Sequence, residues 1–275
     1  MLPIHIDIGF LHLHYYEGVY FFIAILSAVV YFTYLAKREN IDLEVMYEAS
    51  FISILSAIIM ARLFSLVFWS PQLFLKNPLI FFKVWAGGVS VTGGVFGGLT
   101  AGYIYARIKK LHFFYHIKVF IPPIILAQII GRFGCFLNGD AAGIPTDAPW
   151  GMIFNADSQA YMNITPGTVI HPTQLYEMFG NFILLFFIVF TGNIEWITKR
   201  RIVWYALGYS IVRFVVEFFR NDSNKWSWFP ILTTGQIICI GGFLLGLFIL
   251  IWSIIYPEKL EAKEENIARP QSKAK

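Results

Sequence analysis

The sequence predicts an all-α membrane protein of about seven transmembrane helices, and three observations predict it. Hydrophobic residues make up 57% of the 275 and charged residues only 14%, a balance far more apolar than a water-soluble domain carries. Apolar runs near the roughly 20 residues needed to cross a bilayer recur along the chain. The basic residues between those runs alternate between rich and poor segments, as they do when a chain passes back and forth through a membrane.

The first run, 18–35, has no preceding basic region and no small-residue cleavage site, so it reads as a retained helix. The second is 49–69. The third, 89–107, and the fourth, 119–137, are interrupted by glycine, proline and polar groups, defects that neighbouring helices must cover. Three further runs, 174–191, 202–219 and 236–255, complete the set.

Lys37, Arg38, Arg107, Lys109, Lys110, Lys118, Lys199, Arg200 and Arg201 follow the odd-numbered runs, and the tail adds Lys259, Lys263, Arg269, Lys273 and Lys275. The opposite side holds only Lys76, Lys83, Arg220 and Lys225. The positive-inside rule then places the N-terminus outside and the C-terminus in the cytoplasm. Residues 140–172 contain neither Lys nor Arg and read as a small outer head segment. Residues 1–256 thus form one polytopic membrane domain. Residues 257–275 form a charged cytoplasmic tail with no apolar period, expected to be disordered.

Several functions are excluded early. The net charge of +4 follows from topology and does not describe a nucleic-acid surface. Cys135 and Cys239 lie in different apolar runs and suggest neither a disulfide framework nor a metal site. The chain has no Gly-x-x-x-x-Gly-Lys loop and no Gly-x-Ser-x-Gly elbow.

Four clusters carry polar chemistry. In the third run, Gly94, Gly98 and Gly102 repeat every four residues, a spacing that lets helices pack closely. The pairs Gly87-Gly88 and Gly93-Gly94 instead suggest a bent helix start whose N–H groups could meet a polar headgroup. At the end of the fourth run stand Arg132, Asn138 and Asp140. A permanent cation at that depth needs either a carboxylate partner or an anionic ligand.

The fifth run opens with His171-Pro172-Thr173-Gln174-Leu175-Tyr176-Glu177. Proline suits a first helical turn, and the residue before it is biased out of the helix. His171, Gln174 and Glu177 therefore gather at the helix start, either as structure or as support for a site. In the sixth run, Tyr209, Arg213, Glu217 and Arg220 share one helix face. Glu217 can pair with either arginine, which leaves one arginine over; with Arg132 that makes two cations available to a phosphate.

These residues together resemble the bacterial prolipoprotein diacylglyceryl transferase family. The family signature Gly-Arg-x-Gly-Asn-Phe-x-Asn-x-Glu-x-x-Gly is matched at Gly131, Arg132, Gly134, Phe136, Asn138 and Gly143. The His-Pro-x-Gln-Leu-Tyr-Glu block is matched at 171–177, and Tyr-x-x-x-Arg-x-x-x-Glu-Phe-x-Arg at 209–220. Gly235-Gln236 and the N-terminal His14-x-Tyr16 match as well. Three positions depart from the pattern: Thr92 stands where histidine is usual, Cys135 where asparagine is usual and Asp140 where glutamate is usual.

The resemblance implies a transferase of the bacterial inner membrane with its active site towards the outer face. It would move diacylglyceryl from phosphatidylglycerol onto the lipobox cysteine of a preprolipoprotein, with no metal or cofactor. Arg132 and Arg213 would hold the phosphate, with Tyr16 and His171 beside them in the catalytic set. Asn138, Asp140, Tyr209, Glu217, Arg220, Gly93 and Gly94 would bind substrate. Thr92 cannot take up a proton near neutral pH as imidazole does, so the base would be His171, or the arginines would themselves depress the substrate thiol's pKa. Loss of the usual histidine also leaves open a paralogue that binds lipid or lipoprotein without transfer. A transporter fits less well, because the two halves show no repeated pattern of broken helices.

Overall fold

The computed structural model describes residues 5–8, 11–82, 90–111, 113–156, 158–161, 164–221, 225–226 and 229–256. The charged tail and the Gly87-Gly88 pair lie outside the described residues. The helices are α1 (Tyr15–Arg38), α2 (Leu43–Trp69), α3 (Pro71–Lys76), α4 (Val91–Ile108), α5 (Phe113–Asn138), α6 (Thr173–Phe190), α7 (Glu195–Lys199), α8 (Arg201–Glu217) and α9 (Thr234–Ile255). Two short antiparallel ladders accompany them, β1 (His5–Ile8) with β2 (Leu11–His14) and β3 (Lys225–Trp226) with β4 (Phe229–Thr233). Both ladders abut helix starts, where a helical period carries no signal for them.

Among the described residues, five stretches are long and apolar enough to cross a membrane: Val19–Arg38, Leu43–Phe68, Tyr115–Asn138, Thr173–Asn193 and Thr234–Ile255. Their surfaces agree with that use, since Phe22, Phe51, Phe179, Phe186 and Phe248 all stand exposed, as side chains that face lipid do. The third and sixth expected spans are present as helices, α4 of 18 and α8 of 17 residues, each diluted by glycine or charge.

The chain packs as two compact units, Met1–Phe32 with Ile117–Lys275, and Thr33–His116. In the second unit α4 lies against α2 along its glycines. A Cβ added at Gly93 would meet Phe64 Cβ at 2.4 Å, and one at Gly97 would meet Met60 Cβ at 2.4 Å and the Ser56 carbonyl at 2.8 Å. Gly94 and Gly98, which the four-residue repeat singled out, have ordinary clearances of 3.4 Å or more. The tightest contacts therefore fall one residue earlier than the repeat suggested. Ser56 Oγ donates to the Gly97 carbonyl at 3.0 Å across the same seam. At the far end of α4, Tyr105 Oη donates to Glu48 at 2.5 Å and Lys109 Nζ pairs with the same carboxylate at 2.9 Å.

In the first unit, Ile121 and Ile125 of α5 pack with Leu184 and Ile188 of α6, and Ile202, Tyr205 and Tyr209 of α8 close the cluster. Helix α5 continues across Pro122 and Pro123. Each proline removes an N–H from the helical ladder, and the surrounding packing covers the loss, with Val119 and Ile125 fully enclosed. Residues 142–170 make a small core of their own from Ala142, Phe154, Ala160, Tyr161 and Ile170. Tyr161 Oη ties it together by accepting from the Phe154 N–H at 3.0 Å and donating to the Thr168 carbonyl at 3.2 Å. At the opposite end of α8, Arg200 is buried; its Nε donates to Ser253 Oγ at 2.9 Å, and its guanidinium lies 4.9 Å from the Trp196 ring centre.

The α2–α4 seam predicts a selective glycine requirement. Gly97→Ala should destabilise the protein by about 1–3 kcal/mol, because the added methyl meets a backbone carbonyl and a Cβ that cannot rotate away. Gly241→Ala, where a Cβ meets nothing within 4 Å, should be neutral or slightly stabilising. Thermal unfolding of the two variants in the same detergent compares them.

Candidate active site

Ionised side chains from α5, α6 and the end of α8 form one continuous chain. Arg132 Nε lies 3.0 Å from Glu177 Oε1, and Arg213 Nη1 lies 3.5 Å from Glu177 Oε2. Arg213 Nη2 then lies 2.7 Å from Glu217 Oε2, and Arg220 Nε lies 3.8 Å from that same oxygen. Both carboxylates are almost wholly buried, with side-chain exposures of 3% for Glu177 and 5% for Glu217. A lone carboxylate at that depth costs several kcal/mol in desolvation. Here each has two guanidinium groups beside it.

Local structure explains the arrangement. Arg213, Glu217 and Arg220 follow one another at helical spacings of four and three, as the sequence implied, so Glu217 touches both arginines. Glu177 falls on the buried face of α6 with Thr173, Gln174 and Asn181. It supplies the carboxylate that the sequence left open for Arg132. Together with Glu217 it reduces the expected surplus from two positive charges to one, counted over Arg132, Arg213, Arg220, Glu177 and Glu217. Arg213 Nη1, though in ion-pair range of Glu177, has no hydrogen-bond acceptor among the described residues.

Further groups hold the carboxylates in place. Tyr209 Oη donates to Glu177 Oε1 at 3.3 Å. Thr233 Oγ1 donates to Glu217 Oε1 at 3.0 Å and also accepts from the Gln236 N–H at 3.1 Å, while Gln236 Oε1 accepts from the Thr233 N–H at 3.0 Å. That reciprocal cap starts α9. Gly235 completes the fit, because a Cβ there would sit 2.5 Å from Glu217 Oε1. The Gly-Gln pair seen in the sequence is thus one residue that gives the carboxylate room and one that caps the helix beside it.

Asn138 and Asp140 stand at the turn that ends α5. Asn138 Nδ2 donates to Asp140 Oδ2 at 2.5 Å. The turn requires left-handed backbone at Gly139 (φ 77°) and Ala141 (φ 54°), the latter a conformation that costs a non-glycine residue about 1–2 kcal/mol. Two side chains from the first turn of α6 hold it: Gln174 Nε2 donates to the Asp140 carbonyl at 2.7 Å and Thr173 Oγ1 to the Ala141 carbonyl at 2.6 Å. Gly143 lies so close to His171 and Phe219 that a Cβ would come within 2.6 Å of both.

His171 precedes α6 and faces an aromatic group. Its Nδ1 lies 2.9 Å from Tyr176 Oη, which also accepts from Trp150 Nε1 at 2.8 Å, and its ring centre is 5.0 Å from that of Phe219. Burial pushes the His171 pKa below the ordinary imidazole value, which keeps the ring neutral and able to accept a proton at neutral pH.

The structure therefore brings Arg132, Tyr209, Arg213, Glu217 and Arg220 into one network, and it ties Asn138, Asp140 and His171 to the same helix ends. Thr92, Gly93 and Gly94 lie in the first turn of α4, in the other compact unit. Both glycine N–H groups are engaged by the helix cap, Gly93 on Ser90 Oγ at 3.3 Å and Gly94 on the Ser90 carbonyl at 3.0 Å. Tyr16 opens α1, and its side chain lies outside the described part of the structure. Glu177 is the residue that sequence reasoning underweighted: its block was noted, but nothing in one sequence shows that α6 meets α5 and α8 at that turn.

Known proteins resemble this chain along nearly its whole length. The family model described as prolipoprotein diacylglyceryl transferase matches residues 3–252. A phosphatidylglycerol--prolipoprotein diacylglyceryl transferase of Proteus mirabilis is 31% identical over 91% of this chain and 91% of its own length. The proteins of the same name from Wolbachia pipientis and Fusobacterium nucleatum are 31% and 32% identical, over 92% and 81% of this chain and 95% and 88% of their own lengths.

Two expectations follow from the geometry. Glu177→Leu, which leaves Arg132 and Arg213 facing a hydrocarbon, should destabilise the fold by about 3 kcal/mol, and adding Arg132→Met should recover part of the loss; unfolding in detergent measures both. For His171 the folded pKa lies below the unfolded value of about 6.5. Its stabilising contribution is therefore complete above that pH and is lost as pH falls through the folded pKa. Ring titration by NMR should show a midpoint below 6.5.

Proposed function

The chain belongs to the prolipoprotein diacylglyceryl transferase family and is a transferase, and on that premise we propose that it moves diacylglyceryl from phosphatidylglycerol to the lipobox cysteine of a preprolipoprotein. The observation that carries the reading is the Arg132–Glu177–Arg213–Glu217–Arg220 chain built on two buried carboxylates, with one surplus positive charge counted over those five side chains and an Arg213 N–H that no group among the described residues accepts. A phosphodiester carries one negative charge, and a guanidinium binds phosphate oxygens through directed N–H bonds.

In this mechanism the substrate thiolate attacks the glycerol carbon next to the phosphate. The C–S bond forms as the C–O bond breaks, and glycerol phosphate leaves with the bonding electrons as a dianion. Arg132 and Arg213 stabilise the second negative charge as it develops, which is where fixed, water-excluded donors contribute most. Glu177, Tyr209, Glu217 and Arg220 hold the two guanidinium groups in place. Asn138 and Asp140 orient the headgroup, and Tyr16 takes part from the start of α1. The thiol proton passes to His171, which stands neutral at its helix start and can take over from the histidine that Thr92 replaces. No metal or cofactor enters the reaction.

The same reading assigns the chain to the bacterial inner membrane, with seven crossings in which α4 and α8 join the five long apolar helices. The N-terminus is outside and the tail cytoplasmic, following the distribution of Lys and Arg. Residues 1–256 form the membrane domain, and its compact segment 140–172 is an outer head beside the arginine network.

Purified protein should transfer labelled diacylglyceryl from phosphatidylglycerol to a lipobox peptide. Arg132→Ala should lower that rate by at least about 100-fold, the usual scale for removing a transition-state donor. His171→Gln should abolish turnover if the imidazole takes the proton, and should reduce it only a few-fold if the arginines alone lower the thiol pKa. Phosphatidylglycerol that binds through Arg132 and is never transferred would overturn the reading in favour of a lipid-binding relative.

A further inference from the structure

The first turn of α6 holds a buried acceptor that the reaction as described does not use. Gln174 is 1% exposed. Its Nε2 donates to the Asp140 carbonyl at 2.7 Å, and because a carbonyl can only accept, this bond fixes which way the amide lies. Gln174 Oε1 is therefore the amide atom left over from that bond, and no group among the described residues donates to it. Asp140 repeats the pattern: Oδ2 takes the Asn138 amide at 2.5 Å, while Oδ1 is buried with no donor among the described residues.

Buried acceptors left without donors cost free energy comparable to a lost hydrogen bond each, so native proteins rarely hold two on directly bonded residues. Both belong to the Asp140 turn and the start of α6. On the same buried face, one turn further along, Glu177 meets Arg132 and Arg213. A ligand that satisfies both kinds of group carries a negative charge for the arginines and neutral hydroxyl donors for the two oxygens.

We propose that Gln174 Oε1 and Asp140 Oδ1 form a hydroxyl-binding subsite that selects a polyol headgroup on the anionic phospholipid. This inference rests on the transfer reading above and deepens it, since it assigns headgroup discrimination to Gln174, a residue that also holds the strained turn. The arginine network reads the charge and the Gln174–Asp140 pair reads the hydroxyls. A site built to hydrogen-bond a hydroxyl rejects an analogue that lacks it far more strongly than an apolar pocket rejects one methylene.

The test compares two donor lipids of equal charge and acyl chains, phosphatidylglycerol and a phosphatidylpropanol with no headgroup hydroxyl, in the purified full chain with a lipobox peptide. Wild type should prefer phosphatidylglycerol in kcat/KM by about 100-fold or more. Gln174→Met should cut that ratio by at least about tenfold, with the loss concentrated on phosphatidylglycerol. Asp140→Asn, nearly isosteric, gives an independent variant and should also lower the ratio. A wild type that treats the two lipids alike would overturn the subsite and leave transfer standing, as would variants that slow both lipids equally. A wild type that transfers neither lipid would overturn the transfer reading, and the subsite with it.

Discussion

The site depends on one buried carboxylate. Glu177 lies between Arg132 of α5 and Arg213 of α8, and none of the three could sit at its depth alone. In a medium of low dielectric an unpaired ion costs more than packing can offset, whereas a paired one is held in a single geometry by its partners. The pairing therefore positions three helices with respect to one another as well as two guanidinium groups. Counted over Arg132, Arg213, Arg220, Glu177 and Glu217, the network carries one more positive than negative charge, the feature on which the proposed anionic substrate rests.

Support for the network comes from short polar contacts between motifs far apart in sequence. Thr233 caps α9 and holds Glu217 with the same hydroxyl, so the start of one helix is registered on the carboxylate of another. Thr173 and Gln174 do the same for the turn that ends α5. Glycine appears where two such segments touch, at Gly143 beside His171 and at Gly235 beside Glu217. In each case a side chain would displace the group that the site needs. Conformational freedom matters at Gly139, where φ is positive and an added Cβ would come within 2.6 Å of Ser158 Cβ.

The other unit uses different physics. The seam of α2 and α4 is nearly free of charge along most of its length and relies on backbone approach at Gly93 and Gly97. Lipid is as apolar as leucine, so burial of hydrocarbon gives little preference for a neighbouring helix, and close van der Waals contact must supply it. The Glu48, Tyr105 and Lys109 cluster closes one end of the seam, where ions can reach water. One unit is thus matched through buried ions and the other through missing side chains.

The membrane class, the approximate helix positions and the polar clusters were legible in the sequence because each is a local property. A 20-residue apolar run, an i,i+4 ion pair and a proline at a helix start declare themselves within a few turns. The pairing of Glu217 with Arg213 and Arg220 was readable for that reason. The partner of Arg132 was not, because Glu177 lies 45 residues away in number and only the packing of α5 on α6 brings it near. The tertiary structure likewise decided that Gly93 and Gly97, rather than the repeating Gly94 and Gly98, bear the close contact, since a one-residue rotation of a helix changes no composition. It also decided that Gln174 holds the Asp140 turn. Local spacing sets which residues share a face; only the meeting of faces sets which charges and hydrogen bonds are satisfied.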